Sequence, residues 1–468
     1  MKKNTTKIPL EEVQQGLYAK RKKIYPRIIL GYFSRLKVLS GLILLGMYYG
    51  IPWLQWNGHQ AVLFDLPARK FYIFGMTFWP QDFIYLTFLL ILAAMILFFF
   101  TALAGRLWCG FACPQTIWTD AFLWMERLIE GDRPKQIKLD NEPKSFRKFR
   151  IKTTKHALWI IFALFTGYTF VGYFSPIHEL TDSILNWQLS GWETFWVLFY
   201  SLATYAFAGR LREQVCTYMC PYARFQSAMF DNNTMIIAYD EKRGESRGSR
   251  KKNQDNYKDQ GLGDCIDCSI CVQVCPTGID IRDGLQYQCI SCSACIDACD
   301  EVMDKMAYPR GLIRYTTENK LKGKNTSILR PRLFVYAGIL IALFIGTIYS
   351  ISIRSLVELD VIRDRQSLYL KTDAGMIENI YSLRVMNLDN KDHAYNLTIT
   401  GIEGLALVQK IDIKTKSGEI STVPLRLTVA QNKVQKRTTT IHFTLTAKDN
   451  SELTITEEAR FLGPLRLR

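Results

Sequence analysis

Twelve cysteines occur in the 468 residues, and eight of them fall into two matching runs. Residues 265–276 read CIDCSICVQVCP and residues 289–300 read CISCSACIDACD, each with the spacing C-x2-C-x2-C-x3-C. Three thiolates so spaced wrap one corner of an iron–sulfur cube, while the fourth reaches across to the other cluster. The spacing therefore assigns Cys265, Cys268, Cys271 and Cys299 to one 4Fe-4S cluster. It assigns Cys275, Cys289, Cys292 and Cys295 to a second. Zinc sites pair C-x2-C units across longer gaps, and a disulfide framework does not suit thiols in a reducing compartment. Asp300 stands where a proline is expected after the last cysteine, which predicts a loosened turn or a shifted potential. The chemistry that such a block offers is one-electron transfer, with donor and acceptor unspecified.

The other four cysteines form a second pattern. Residues 108–116 read WCGFACPQT and residues 215–223 read VCTYMCPYA, each at the end of an apolar run. On a helix, the i,i+4 spacing of Cys109 and Cys113, and of Cys216 and Cys220, puts both sulfurs on one face. Helix geometry then separates the Cα atoms by roughly 6 Å, within disulfide range. Pro114 and Pro221 favour an extended residue before them, which predicts that each helix kinks or stops there. Four thiols could so converge near the ferredoxin block, as a soft-metal site, a dithiol–disulfide couple or ligands to a further cluster. Thiolates favour Cu(I), and a site with that preference raises the potential for reducing Cu(II). Beside these, the sequence holds no C-x-x-C-H, no G-x-G-x-x-G and no P-loop, so it offers no recognised haem, nucleotide or flavin site.

Five apolar runs must position these cysteines: residues 38–54, 83–105, 157–177, 194–209 and 333–353. A span needs about 20 such residues. The formal net charge of +16 is not a nucleic-acid footprint, because the basic residues cluster in alternate connections. Ten Lys or Arg lie in residues 1–37 and eleven in 106–155, against two in 55–82 and none in 178–193. By the positive-inside rule the N-terminus and residues 210–332 face the cytoplasm, and the C-terminus lies outside. The first helix reads as uncleaved.

The expected fold is a membrane α-helical protein with five transmembrane helices. It carries a cytoplasmic bacterial-type dicluster ferredoxin insert (α+β) and a C-terminal all-β immunoglobulin-like sandwich. Its domains would be a basic N-terminus (1–37), a four-helix membrane domain with the two C-x3-C-P motifs (38–232), and a cytoplasmic linker with the ferredoxin domain (233–332, core 261–303). A fifth helix (333–353) and a periplasmic sandwich (354–468) follow. The stretch 240–260 is rich in charge and reads as a flexible linker or solvated loop. After residue 354, short alternating segments predict six or seven strands. The segments GRLWCGFACP and GRLREQVCTYMCP suggest two related halves, with three extra residues in the second.

Residues 65–82, 102–133 and 212–231, together with the dicluster block, resemble the cytochrome c oxidase accessory protein family CcoG (FixG/RdxA), whose members are membrane polyferredoxins. The twin C-x3-C-P motifs, the spans and the tail occur in the same order over nearly the whole chain. The resemblance implies an oxidoreductase that reduces Cu(II) to Cu(I) during assembly of cbb(3)-type haem-copper oxidase. Carried over by motif, Cys109, Cys113, Cys216 and Cys220 would be the copper-handling thiols, with copper a transient ligand. Implied partners are membrane lipid, a cytoplasmic electron donor, and oxidase assembly factors or copper chaperones. No nucleic acid is expected, and a homodimer is left open. The implied location is the bacterial inner membrane, multi-pass, with the ferredoxin inside and the sandwich in the periplasm. Two other functions fit the same features: a quinol-linked conduit to a periplasmic reductase, and a redox-sensing assembly scaffold.

Overall fold

The computed structural model describes residues 23–252, 257–327, 330–364, 367–372, 375–389, 391–409 and 411–464. Residues 1–22 of the expected basic N-terminus and 253–256 of the expected linker lie outside these. Backbone contacts divide the chain into two units. One comprises Met1–Gly50, Ala93–Val171 and Gln188–Leu340; the other comprises Ile51–Leu92, Gly172–Trp187 and Ile341–Arg468.

Among the described residues three helices, Tyr32–Trp53, Pro80–Ala104 and Pro331–Ser352, are long and apolar enough to cross a membrane. Their side chains, Leu42, Leu90 and Ile345 among them, are exposed. Water would disfavour such a surface, whereas lipid would not. The expected count of five is not reached, for two reasons. The third apolar run belongs to helix Phe146–Val171, whose first turns carry Arg147, Lys148, Arg150, Lys152 and Lys155. The fourth run is helix Gly191–Thr204, only 14 residues long, which passes into a π-helix at Tyr205–Leu211.

In the first unit these two helices pack through Gly167. A Cβ there would come within 2.3 Å of Ser201 Oγ and 2.5 Å of the Val197 carbonyl. Phe122, Met125, Trp159, Ala163 and Ala208 form the core beside that contact. Charge is buried there as well: Glu126 pairs with Arg212 at 2.6 Å and with Lys155 at 3.3 Å.

The ferredoxin block belongs to the same unit. Strand Ile236–Tyr239 runs antiparallel to Ile313–Thr316, and helices Ile270–Val274 and Ala294–Met306 lie between them in sequence. Residues 240–252 and 257–260 are a largely exposed loop, as expected, with Glu241, Lys242, Lys251, Lys252 and Lys258 in solvent, but the loop is anchored at several points. Arg243 pairs with Asp264 at 2.6 Å, Tyr257 donates to Asp264 at 2.9 Å, and the Arg250 guanidinium sits 4.4 Å from the Tyr257 ring centre. Arg243 and Tyr257 thus tie an otherwise exposed loop to the ferredoxin core.

The second unit is mainly a sandwich of two antiparallel sheets. One has the strand order Ala406–Leu407, Ile420–Ala430, Met376–Asn387, Val357–Arg363, with Leu370–Lys371 also paired to Met376–Asn387. The other has the order Ile413–Thr415, His393–Thr400, Thr438–Ala447, Thr454–Leu462. Inward residues such as Leu383, Leu427, Tyr395, Phe443 and Phe461 are buried between them. With no cysteine in this domain, that apolar core holds the sheets together. A small sheet, Val62–Asp65, Lys70–Ile73 and Met76–Phe78, and an Arg354–Asp82 ion pair of 2.5 Å complete the unit.

Candidate functional site

Each half of the dicluster block is shaped by two left-handed residues at matching positions. Asp267 and Ser269 flank Cys268, and Ser291 and Ser293 flank Cys292, with φ between 53° and 63°. These turns curl each loop back on itself before a helix begins at Ile270 or Ala294. Non-glycine residues pay strain there, and such strain concentrates at ligand clamps.

The loops enclose two cavities. One, of about 370 Å3, is lined by Cys265, Cys268, Cys271 and Cys299, with an apolar wall that includes Val302 and Leu312. The other, of about 340 Å3, is lined by Cys275, Cys289, Cys292 and Cys295, and Cys271 reaches it too. The two sets of four that the spacing assigned are thus each brought to one cavity, and the cavities are neighbours. All twelve cysteines are free thiols. Among the described residues no three Cys, His, Asp or Glu gather closely enough to hold a single ion. A cubane has its thiolates at separated corners, so an open ring of four around an apolar hollow fits a 4Fe-4S cluster better than a zinc ion. Cys268 is exposed, whereas Cys292 is buried. Asp300 does not loosen the turn: its carboxylate accepts from Gly311 N at 2.8 Å, and the helix continues to Met306, where a proline would have interrupted it.

The cysteines of the two C-x3-C-P motifs depart from the expected helical pairs. Cys109 lies in the short helix Leu107–Phe111, but Cys113 is extended (φ −64°, ψ 127°) and caps the next helix, Pro114–Glu130. Cys216 lies in the π-helical stretch Val215–Met219, and Cys220 is extended (φ −75°, ψ 113°) before helix Pro221–Ala228. Proline excludes the helical conformation from the residue before it, so neither pair occupies one continuous helix face. The halves nevertheless match closely. Cys113 N donates to the Trp108 carbonyl and Cys220 N to that of Val215, each five residues back and each at 2.8 Å. The three extra residues of the second half are absorbed by the π-helical turns and by Arg212, whose φ is 46°. Such π turns recur at functional sites.

All four thiols are half-buried and lie within electrostatic reach of one another. Burial, then the neighbouring Cys113, pushes the Cys109 thiol up to about 12. Burial and the Cys113 and Cys220 thiols push Cys216 up to about 11. At neutral pH Cys109 and Cys216 are therefore protonated by themselves, and positive charge placed beside them would convert them to ligands. The buried Gln226 accepts from Cys109 Sγ at 3.5 Å and donates to the Gly105 carbonyl at 2.9 Å, fixing the first thiol against the helix end.

Three residues that spacing did not single out join this edge to the second cluster cavity. A Cβ on Gly110, between Cys109 and Cys113, would lie 2.6 Å from the Ser291 carbonyl oxygen and 2.9 Å from that of Ile290. The motif backbone therefore rests directly on the Cys289–Cys292 loop. Buried Arg106 donates to the carbonyls of Tyr287, Cys289 and Ala223, linking that loop to the helix that follows Cys220. Asp297, between Cys295 and Cys299, accepts from Ser34 N at 2.7 Å and Phe33 N at 3.2 Å, capping the first apolar helix. The repeated Gly-Arg-Leu was the one sequence signal for Arg106. Its counterpart does not carry over, since Arg212 rather than Arg210 is the buried one.

Comparison with known proteins agrees with this layout. A 4Fe-4S dicluster domain model matches residues 211–318, and a 4Fe-4S binding domain model matches residues 86–132, which contain Cys109 and Cys113. A third model, the IG-like fold at the C-terminus of FixG, matches residues 347–464. Nitrogen fixation protein FixG of Rhizobium meliloti is 38% identical over 429 residues, covering 83% of this chain and 81% of that one. The chain belongs to the FixG family. Protein RdxB of Cereibacter sphaeroides is 40% identical over 430 residues, covering 89% of each chain. A crystal structure of a FixG-related protein from Vibrio parahaemolyticus is 35% identical over 24% of this chain and all of that one, with a TM-score of 0.22. This member of the FixG family is an iron–sulfur protein of the polyferredoxin type with an immunoglobulin-like C-terminal domain.

Proposed function

We propose that this protein is a multi-pass inner-membrane electron-transfer protein that reduces Cu(II) to Cu(I) for assembly of a cbb(3)-type haem-copper oxidase. The observation that carries the reading is the seat of Gly110 on the Ile290–Ser291 peptides, which joins the second cysteine cavity to the C-x3-C-P motif by backbone contact. Bound in their cavities, two 4Fe-4S clusters would supply one-electron carriers. Exposed Cys268 gives the first cavity a face for a cytoplasmic one-electron donor, and Cys271, common to both cavities, makes them adjacent. Cys109, Cys113, Cys216 and Cys220 are not gathered closely enough to hold an ion as they stand, so the substrate Cu(II) would draw them together; it takes up one electron and is retained as Cu(I) by soft sulfur. Arg106 and Gln226 hold the motif in place. The sandwich would face the periplasm and dock oxidase assembly factors or a copper chaperone.

The test is anaerobic reduction of the purified protein, addition of Cu(II), and detection of Cu(I) with a chromogenic chelator. Stoichiometric Cu(I) is expected from the native protein, and little from the protein with all four membrane-edge cysteines changed to serine. Equal yields from both would overturn the proposal.

A second reading has its own support. The match of residues 86–132 to a 4Fe-4S binding domain suits a third iron–sulfur cluster on the same four thiols. Iron analysis separates the two readings. About eight irons per chain, with copper bound at the thiols, favours the first. About twelve, falling to eight in the four-serine protein, favours the second.

A further inference from the structure

The first apolar helix carries one charge that does not serve solubility. Lys37 lies one turn beyond Phe33 and Ser34, whose amides are held by Asp297 of the second cysteine run. Its ammonium pairs with Asp120 at 2.7 Å, and Asp120 belongs to the helix that starts directly after Cys113. Both residues line a cavity of about 450 Å3 together with Cys216 and with Thr277 and Ile290 of the two cluster loops. Within this setting Lys37 and Cys292 are in electrostatic reach of each other. One ion pair therefore joins the first helix to the C-x3-C-P helix and shares a cavity with Ile290 of the second cluster loop.

We infer that Lys37 and Asp120 together set the reduction potential of the cluster bound by Cys275, Cys289, Cys292 and Cys295, and leave the other cluster untouched. A cluster gains negative charge when reduced, so a nearby cation raises its potential and a nearby anion lowers it. The ammonium is the partner within reach of Cys292, and the carboxylate partly offsets it. The first cavity has a different surrounding. Arg282 lines it but is engaged by Asp280 at 2.6 Å and Asp267 at 2.5 Å, which leaves acid in excess there. This difference in fixed charge favours the electron on the cluster nearer the thiols. The inference rests on the two-cluster part of the proposed function and not on copper.

The test is an EPR-monitored redox titration of the full-length, anaerobically purified protein, without copper. The signal of the second cluster is identified as the one altered by Cys289→Ser. Lys37→Gln is expected to lower the midpoint of that signal, changing its oxidised-to-reduced ratio at fixed potential roughly tenfold, or about 59 mV for one electron. Asp120→Asn is expected to raise the same midpoint, and Lys37→Arg, which keeps the charge, to leave it near the native value. The other signal stays within error throughout. Shifts of the same sign in Lys37→Gln and Asp120→Asn, equal shifts of both clusters, or no shift at all would overturn the inference. Because no copper is present, failure of the titration and failure of Cu(II) reduction are separate results.

Discussion

Replacing Gly110 by alanine tests the contact on which the electron route depends. Its φ is not positive, so alanine adopts the local helix without strain and even gains about 0.5–1 kcal/mol in helix propensity. The penalty is steric alone. The new Cβ would start 2.6 Å from the Ser291 oxygen and must retreat to about 3.4 Å, so the loop and the motif separate by roughly 0.8 Å. Both near atoms are backbone carbonyls and cannot rotate aside. Overpacking of this kind costs about 1–3 kcal/mol. Less the propensity gain, about 0–2.5 kcal/mol weighs against the seated arrangement, with a midpoint of about 1.2 kcal/mol, which is roughly an eightfold loss in its population.

The assay is rapid mixing of dithionite-reduced protein with Cu(II), following bleaching of cluster absorbance, with EPR confirming that both clusters remain. Gly110→Ala is expected to slow reoxidation several-fold while iron content and both EPR signals persist. Gly46→Ala is the control, since nothing lies within 4 Å of a Cβ there. Native-rate reoxidation in Gly110→Ala with intact clusters would refute the route through this contact.

Two further outcomes are expected. Asp297→Ala removes the cap on the first apolar helix and should cost about 0.5–2 kcal/mol, read as a lowered denaturation midpoint in detergent; Asp297→Asn, which keeps an acceptor, should recover most of it. Glu126 supplies the pH dependence. Burial alone would raise its carboxyl, but Arg212, Lys23 and Lys155 hold it down to about 2, against 4.5 for an unperturbed glutamate. A folded pKa below the unfolded one gives stability that is full above about pH 4.5 and is lost as the pH falls towards 2. A difference of about 2.5 units amounts to about 3 kcal/mol. Glu126→Gln should therefore be markedly less stable than the native protein at pH 7, and the gap should narrow on titration from pH 5 to pH 3 in thermal melts.

How far the sequence could be read depended on the range of each interaction. The two sets of cluster cysteines were legible because their spacing is local and the crossing of the fourth ligand is a property of the motif itself. The sandwich was legible because alternation at two residues is imposed by the strand. The geometry of the thiol pairs was legible only in part: the prolines signalled an extended residue before them, while the i,i+4 count suggested one helix face. Cys109 and Cys113 suit a helix by count, yet Pro114 forces Cys113 to be extended, and the proline constraint outweighs the periodicity. The anchoring of the charge-rich stretch after Asp240 was hidden for a related reason. Composition reports charge but not partners, and Arg243 finds Asp264 only when the chain folds back. Arg106, Asp297 and Lys37 meet partners far away in sequence, so no window of residues could reveal them.

These long-range contacts share one destination. Arg106 comes from the end of the second apolar helix, Lys37 from the first, and Gly110 from the C-x3-C-P motif, and all three meet the Cys289–Cys292 loop or its immediate surroundings. No comparable set from the apolar helices lies around Cys265 and Cys268 among the described contacts. If the C-x3-C-P thiols were only small hydrophobes filling a helix end, there would be no physical reason to set a buried arginine, a close-seated glycine and a paired lysine around one ferredoxin loop. Buried arginine is costly unless its donors are satisfied, and here they are satisfied by the carbonyls of Tyr287 and Cys289 at that loop and of Ala223 in the helix after Cys220. Substituting Arg106 should therefore loosen the second cluster loop before it disturbs the first, and the order in which the two EPR signals are lost on mild denaturation would measure that asymmetry directly.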